Sequence, residues 1–152
     1  MARTYLVVID DSPEARGALR FAARRAAKTD GEIDVLAMVE PQDFVQWGGV
    51  QAAIEEEQRL RIEGIVAASV GEIISAAGIT PEIIVRQGDP VAAVRGHIGT
   101  REDVAALVLG AAPTGKPGPL VAHFTGHDAG KLPVPVMIIP GGLSDEQLEQ
   151  LS

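Results

Sequence analysis

The residues best placed by type to do chemistry lie between 110 and 118. Gly110-Ala-Ala-Pro-Thr-Gly115-Lys116-Pro117 follows an apolar run and matches a phosphate-binding P-loop up to its last position. A P-loop needs Ser or Thr there to hold magnesium, and Pro117 offers neither a hydroxyl nor an N–H. An NTPase loop also leads the first strand of its sheet, whereas this one follows the fourth apolar run. Gly115, Lys116 and Gly118 can still wrap an anion with backbone N–H groups and one cation. Pro113, Pro117 and Pro119 each remove one such donor, and the plain alternative is an exposed surface loop. Lys116 is the only Lys or Arg between Glu102 and Lys131.

His123 and His127 are spaced to share a helix face and could hold a metal with Asp128 or Asp10, but no third ligand follows from the spacing. They read more simply as polar surface, and no metal is expected. Zero Cys removes thiol catalysis, disulfides and thiolate metal sites, and no Gly-x-Ser-x-Gly marks a nucleophile. No residue earns the name of a catalyst. Asp10, Glu40 and Asp89 each stand at the end of an apolar run. There a carboxylate can touch a ligand, or it can cap the next helix; capping is the commoner use.

These residues need a scaffold, and the hydrophobic pattern supplies it. Tyr5–Ile9, Ile33–Val39, Thr80–Arg86, Val104–Leu109 and Val134–Ile139 read as strands, the first two as continuous apolar runs covered on both faces. Between them lie helical patterns: 13 to about 28, with Ser12 as its cap and Pro13 at its first position; Gln51 to Gly78; a helix from Pro90 capped by Asp89; and a short one from Leu120 to about Ala129. Strand alternating with helix demands parallel pairing and right-handed crossovers, hence an α/β fold: a doubly wound five-stranded parallel sheet with about four helices. Ligands in such sheets lie at the carboxyl ends of the strands, where strand order reverses. That directs attention to Asp10-Asp11-Ser12, Val39-Glu40, Gly88-Asp89 and the loop from Gly110. Phe44 and Trp47 can lid that pocket, pack on a neighbouring subunit, or simply anchor a long loop. The domain is read as residues 1–142, followed by a polar tail, 143–152, of a loose helical turn or two.

A chain of 152 residues with 46% hydrophobic residues accommodates one globular domain. Its 13 Lys and Arg against 21 Asp and Glu give a net charge of −8, which repels nucleic acid and anionic membrane at long range. No apolar run is long enough to be a secretory leader or a membrane span, so a cytoplasmic location is the default expectation.

Val8-Ile-Asp10-Asp-Ser12, Val35 to Glu40, Gly88-Asp89-Pro90, Leu107-Val-Leu-Gly110 and Pro133-Val-Pro-Val-Met-Ile-Ile139, in that order and spacing, resemble the universal stress protein family from residue 3 to residue 140. The resemblance implies a Rossmann-like subunit pairing as a homodimer through the last strand, Val134–Ile139, and in one branch an adenine nucleotide, ATP or AMP. Magnesium stays open. It implies ligand contacts at Asp10, Val39, Leu109 and Gly110. The family's Gly-x-x-Gly and later Gly-Ser or Gly-Thr hold the phosphates, but this chain has Pro113 at the second glycine and Ala122-His123 at the later pair. Gly115, Lys116, Gly118 and His123 are the positions left to supply that cradle, unless the register of the loop shifts the duty to Thr125-Gly126. Three functions fit: a regulatory binding protein, a slow nucleotide hydrolase or phosphate-transfer enzyme using the same pocket, or a structural dimeric domain with an empty pocket. An edge strand holding Pro133 and Pro135 suits pairing with a second copy, because an uncovered apolar edge is a hazard.

Overall fold

A computed structural model describes residues 3–10, 12–39 and 48–152 of the chain. Ten elements alternate along it: β1 (Thr4–Ile9), α1 (Pro13–Lys28), β2 (Glu32–Val39), α2 (Gly48–Ala77), β3 (Glu82–Gln87), α3 (Pro90–Thr100), β4 (Val104–Ala111), α4 (Pro119–Thr125), β5 (Val136–Pro140) and α5 (Asp145–Leu151). The strands form one parallel sheet in the order β3-β2-β1-β4-β5, as the alternating pattern predicts. Order reverses between β1 and β4, at the centre of the sheet.

Side-chain alternation along the strands makes two cores. Tyr5, Val7, Ile9, Val35 and Ala37 face α1, α2 and α5, whereas Leu6, Val8, Leu36 and Met38 face α3 and α4. Every residue of β1 is buried, so its apolar run reports burial on both faces. α1 buries a stripe of alanines with Leu19 and Phe21, small enough to lie close on the sheet. In α2 the fully buried positions are Ile62, Val66, Ser69 and Ile73, spaced three or four apart on one face of its second half.

Four departures from the sequence reading have identifiable causes. Ser12 takes the N-cap position of α1, but its hydroxyl donates to Asp10 and accepts no helix N–H. α4 stops at Thr125, not near Ala129. Gly126 breaks it, and Asp128 turns inward to be buried. β5 starts two residues late, because Pro133 and Pro135 cannot donate to a ladder; the Pro135 carbonyl only accepts from the Leu107 N–H. The tail forms a fifth helix, α5, with a full capping box between Ser144 and Gln147, and Leu148 of that helix is buried against α1. Among the described residues no helix is long and apolar enough to cross a membrane.

Candidate functional site

The crevice marked out by the fold opens where β1 and β4 end side by side. Asp10 follows β1 and is exposed. Its Oδ1 accepts the Ser12 backbone N–H at 2.8 Å and the Ser12 hydroxyl, a closed turn that aims the start of α1. Asp10 thus closes the turn before α1 and does not cap the helix itself. Val39 ends β2 as a buried residue, and Leu109, also buried, precedes Gly110 on β4. Asp89 accepts the Val91 N–H at 3.2 Å, the cap of α3 that the sequence predicts.

Gly110 has a structural duty that its motif does not announce. A Cβ there would stand 2.2 Å from the Glu14 carbonyl oxygen, so only glycine lets the first turn of α1 lie on the end of β4. Gly141 makes the matching approach at the end of β5, where a Cβ would meet the Ala111 oxygen at 2.6 Å and Pro113 Cδ at 3.0 Å. Glu14, Gly110, Pro113 and Gly141 form one close-packed junction beside the crevice.

The loop beyond it is a closed turn. Ala112 N–H donates to the Pro117 carbonyl at 3.1 Å, with Gly115 at φ 73° and Gly118 at φ 117°, both left-handed conformations that favour glycine. Residues 113–117 are exposed, and Lys116 has no hydrogen-bond or ion-pair partner among the described residues. His123 is drawn away from solvent. Its Nε2 meets Asp128 Oδ2 at 2.5 Å, its ring lies edge-on to Phe124, and Arg95 of α3 pairs with the same carboxylate. Asp128 is only 3% exposed, so the Arg95–Asp128–His123 group ties α3 to α4. His127 lies with its ring 5.9 Å from that of His123. Among the described residues no three metal-ligating side chains come together. Asp11, Glu40, Phe44 and Trp47 fall outside the described residues.

The structure thus gathers Asp10, Val39, Leu109 and Gly110 at the carboxyl edge of the sheet. It leaves Gly115, Lys116 and Gly118 on the exposed turn after β4 and commits His123 to Asp128. As donors for an adenine nucleotide, these residues suit the nucleoside end and one phosphate better than a triphosphate with magnesium. The described residues offer one lysine and a proline-thinned turn, and no hydroxyl stands at Pro117.

A second polar cluster, at the amino edge, has no motif. Asp34 on β2 is buried at 2% exposure and holds His97 Nε2 at 2.8 Å and Arg101 Nη1 at 3.3 Å. Arg101 also forks onto both oxygens of Asp103 at 3.1 Å and reaches Glu82, while the Thr4 hydroxyl donates to Asp103 at 2.8 Å. The Arg101 guanidinium, helped by Thr4, holds the Asp103 carboxyl down to about 2, and the same Asp103 contact, with Asp34, raises Arg101. One signal was readable beforehand: an acid inside the apolar run Ile33–Val39 must find partners when it is buried.

Among solved structures, the chain is similar to the Lactobacillus plantarum universal stress protein UspA, with a TM-score of 0.76 at 16% identity, covering 90% of this chain and 97% of that one. It is similar to the Archaeoglobus fulgidus universal stress protein in complex with dAMP, with a TM-score of 0.62 at 19% identity over 91% and 98% of the two chains. A universal stress protein in complex with cAMP has a TM-score of 0.60 at 20% identity over 90% and 96%. At such identities these likenesses speak for the fold. No curated protein sequence matches. The sequence profile of the universal stress protein family matches residues 1–140, and the chain therefore belongs to that family.

Proposed function

We propose that this protein is a regulatory, non-catalytic member of its family that binds an adenine mononucleotide of the AMP type in the crevice between β1 and β4. The observation that carries the reading is that Asp10 and Gly110 lie at the strand-order reversal, with Val39 at the end of the neighbouring β2. Relatives of the same fold in complex with cAMP and dAMP support it. In this reading the ribose hydroxyls donate to the Asp10 carboxylate, the base lies against the carboxyl end of β2 at Val39, and the phosphate meets Lys116 with the Gly115 and Gly118 amides. His123 is held by Asp128 and orders α4. The scarcity of phosphate donors favours AMP over ATP, and Pro117 gives magnesium no hydroxyl at the position where a phosphate loop supplies one. The Ser12 hydroxyl beside the Asp10 carboxylate is engaged in closing its own turn, so binding rather than hydrolysis is the expected activity.

The same reading includes a homodimer. β5 is an edge strand, with Ile138 exposed at 37% beside half-buried Val136 and Met137, and pairing with a second copy covers that edge. Native mass spectrometry of protein purified from its host tests both parts at once, by mass and by any released small molecule. A dimer carrying AMP supports the reading. A protein that is empty as purified and whose melting temperature ignores AMP, cAMP and ATP overturns the nucleotide part, since a ligand at a hundredfold over Kd adds about 2.7 kcal/mol. That result leaves a structural or partner-binding domain.

A further inference from the structure

α5 does not fill the space it occupies. A cavity of about 780 Å³ runs along α1 from Pro13 to Arg24, between that helix, α2 and α5, with Leu19, Ala23, Ile73, Leu143 and Leu148 among its apolar lining. Its basic wall is a stripe on α1, Arg16, Arg20 and Arg24, one turn apart, with Glu14 and Glu72 as acids at the Arg16 end. In a chain of net charge −8, α1 holds five of the 13 basic residues (Arg16, Arg20, Arg24, Arg25, Lys28) against one acid, Glu14. α5, seven residues of sequence DEQLEQL, lies on part of this surface. It inserts Leu148 opposite Gly17, pairs Asp145 with Arg20 at 3.2 Å and Glu149 with Arg24 at 3.1 Å, and places the Ser152 hydroxyl to accept from Arg24. Arg16, beyond its reach, pairs with Glu72 of α2.

We infer that the arginine face of α1 is a docking groove for an acidic amphipathic helix of a partner protein, and that α5 is its resident, displaceable occupant. α5 itself displays the chemistry the groove selects: a leucine between two acids, at three residues before and one after, on a short capped helix. Its hold is of the exchangeable kind. The acids it offers are 76% and 62% exposed, so the ion pairs are screened, and Leu148 is its only fully buried apolar side chain. The tether after Gly142 supplies a high local concentration in place of tight contact. A longer helix gains what α5 leaves unused, the remaining cavity and Arg16, whose partner Glu72 is itself exposed.

The test uses the full chain with Leu148→Ala and, as a stronger release, Leu148→Asp, each checked for an unchanged far-UV spectrum. The probe is a peptide of residues 143–152 followed by NMR. Hydrogen exchange at 145–151 should accelerate at least tenfold in the variants, and the peptide at millimolar concentration should give saturable shifts at Leu19, Ala23 and Arg24. Wild type should bind it at least tenfold more weakly, because the tethered α5 competes. Arg20→Glu with Arg24→Glu should abolish binding, and a peptide carrying arginine at 145 and 149 should restore it. Unchanged exchange in both variants, or no saturable shift once α5 is released, overturns the proposal. A mass of the Leu148 variants doubled relative to that of wild type also overturns it, since the groove would then take the tail of a second copy.

Discussion

The two ends of the sheet handle charge in opposite ways. At the amino edge Asp34, His97, Arg101, Asp103, Glu82 and Thr4 satisfy one another, and the buried Asp34 carboxylate is covered by His97 of α3 and by Arg101. Among the described residues at the carboxyl edge, Asp10 binds only its own turn, Lys116 stands without a partner, and Gly115 lies on an exposed turn. Groups already satisfied have nothing to offer a ligand, and groups left to water exchange it readily for one. The contrast makes the amino edge a stabilising cluster and leaves the carboxyl edge available to the proposed ligand.

The sharpest way to break that contrast is Asp34→Ala, which strips His97 and Arg101 of a buried carboxylate. Urea denaturation should show a loss of about 3 kcal/mol, with AMP affinity unchanged in the protein that remains folded. Gly110→Ala comes next, because its Cβ would collide with the Glu14 carbonyl. A loss of about 2 kcal/mol is expected together with weakened AMP binding, since the same junction shapes the crevice. If stability falls and binding does not, the junction and the crevice are independent.

Smaller is the pH effect of Asp103. Its carboxyl, ordinarily near 3.8, is held to about 2 in the folded chain. It therefore contributes stability above pH 4 that is lost as pH falls toward 2. Comparing wild type with Asp103→Asn across that window should show their difference, at most about 1 kcal/mol for a partly exposed pair, shrinking as the acid protonates. Smallest in stability is Lys116→Ala, within about 0.5 kcal/mol of wild type, for a side chain that touches nothing described. Calorimetry should nevertheless show AMP binding about tenfold weaker; equal affinity would remove Lys116 from the site.

Much of this was legible in the residues. Continuous apolar runs gave the strands, Pro13 and Pro90 marked two helix starts, and Asp89 caps as its type and place suggest. Legibility failed where one residue had two uses. Gly110 reads as part of a phosphate loop, yet its missing side chain answers to Glu14, ninety-six positions earlier in sequence. His123 reads as a candidate for the phosphate cradle, yet its ring is turned to a carboxylate that lies beyond a helix end the pattern placed too late. The polar tail reads as loose because its only core contribution is one leucine, and its acids find their arginines on α1, more than a hundred residues away.

By itself, the sequence determined the kinds of element, their order and hence the parallel doubly wound sheet, because periodicity and capping are local and the handedness of crossovers leaves few topologies. Tertiary structure alone decided the partners: which acid meets which arginine, which glycine is a contact rather than a hinge, and that α5 rests on α1 beside an unfilled groove. Those outcomes depend on distances between residues far apart in the chain, which no local pattern encodes.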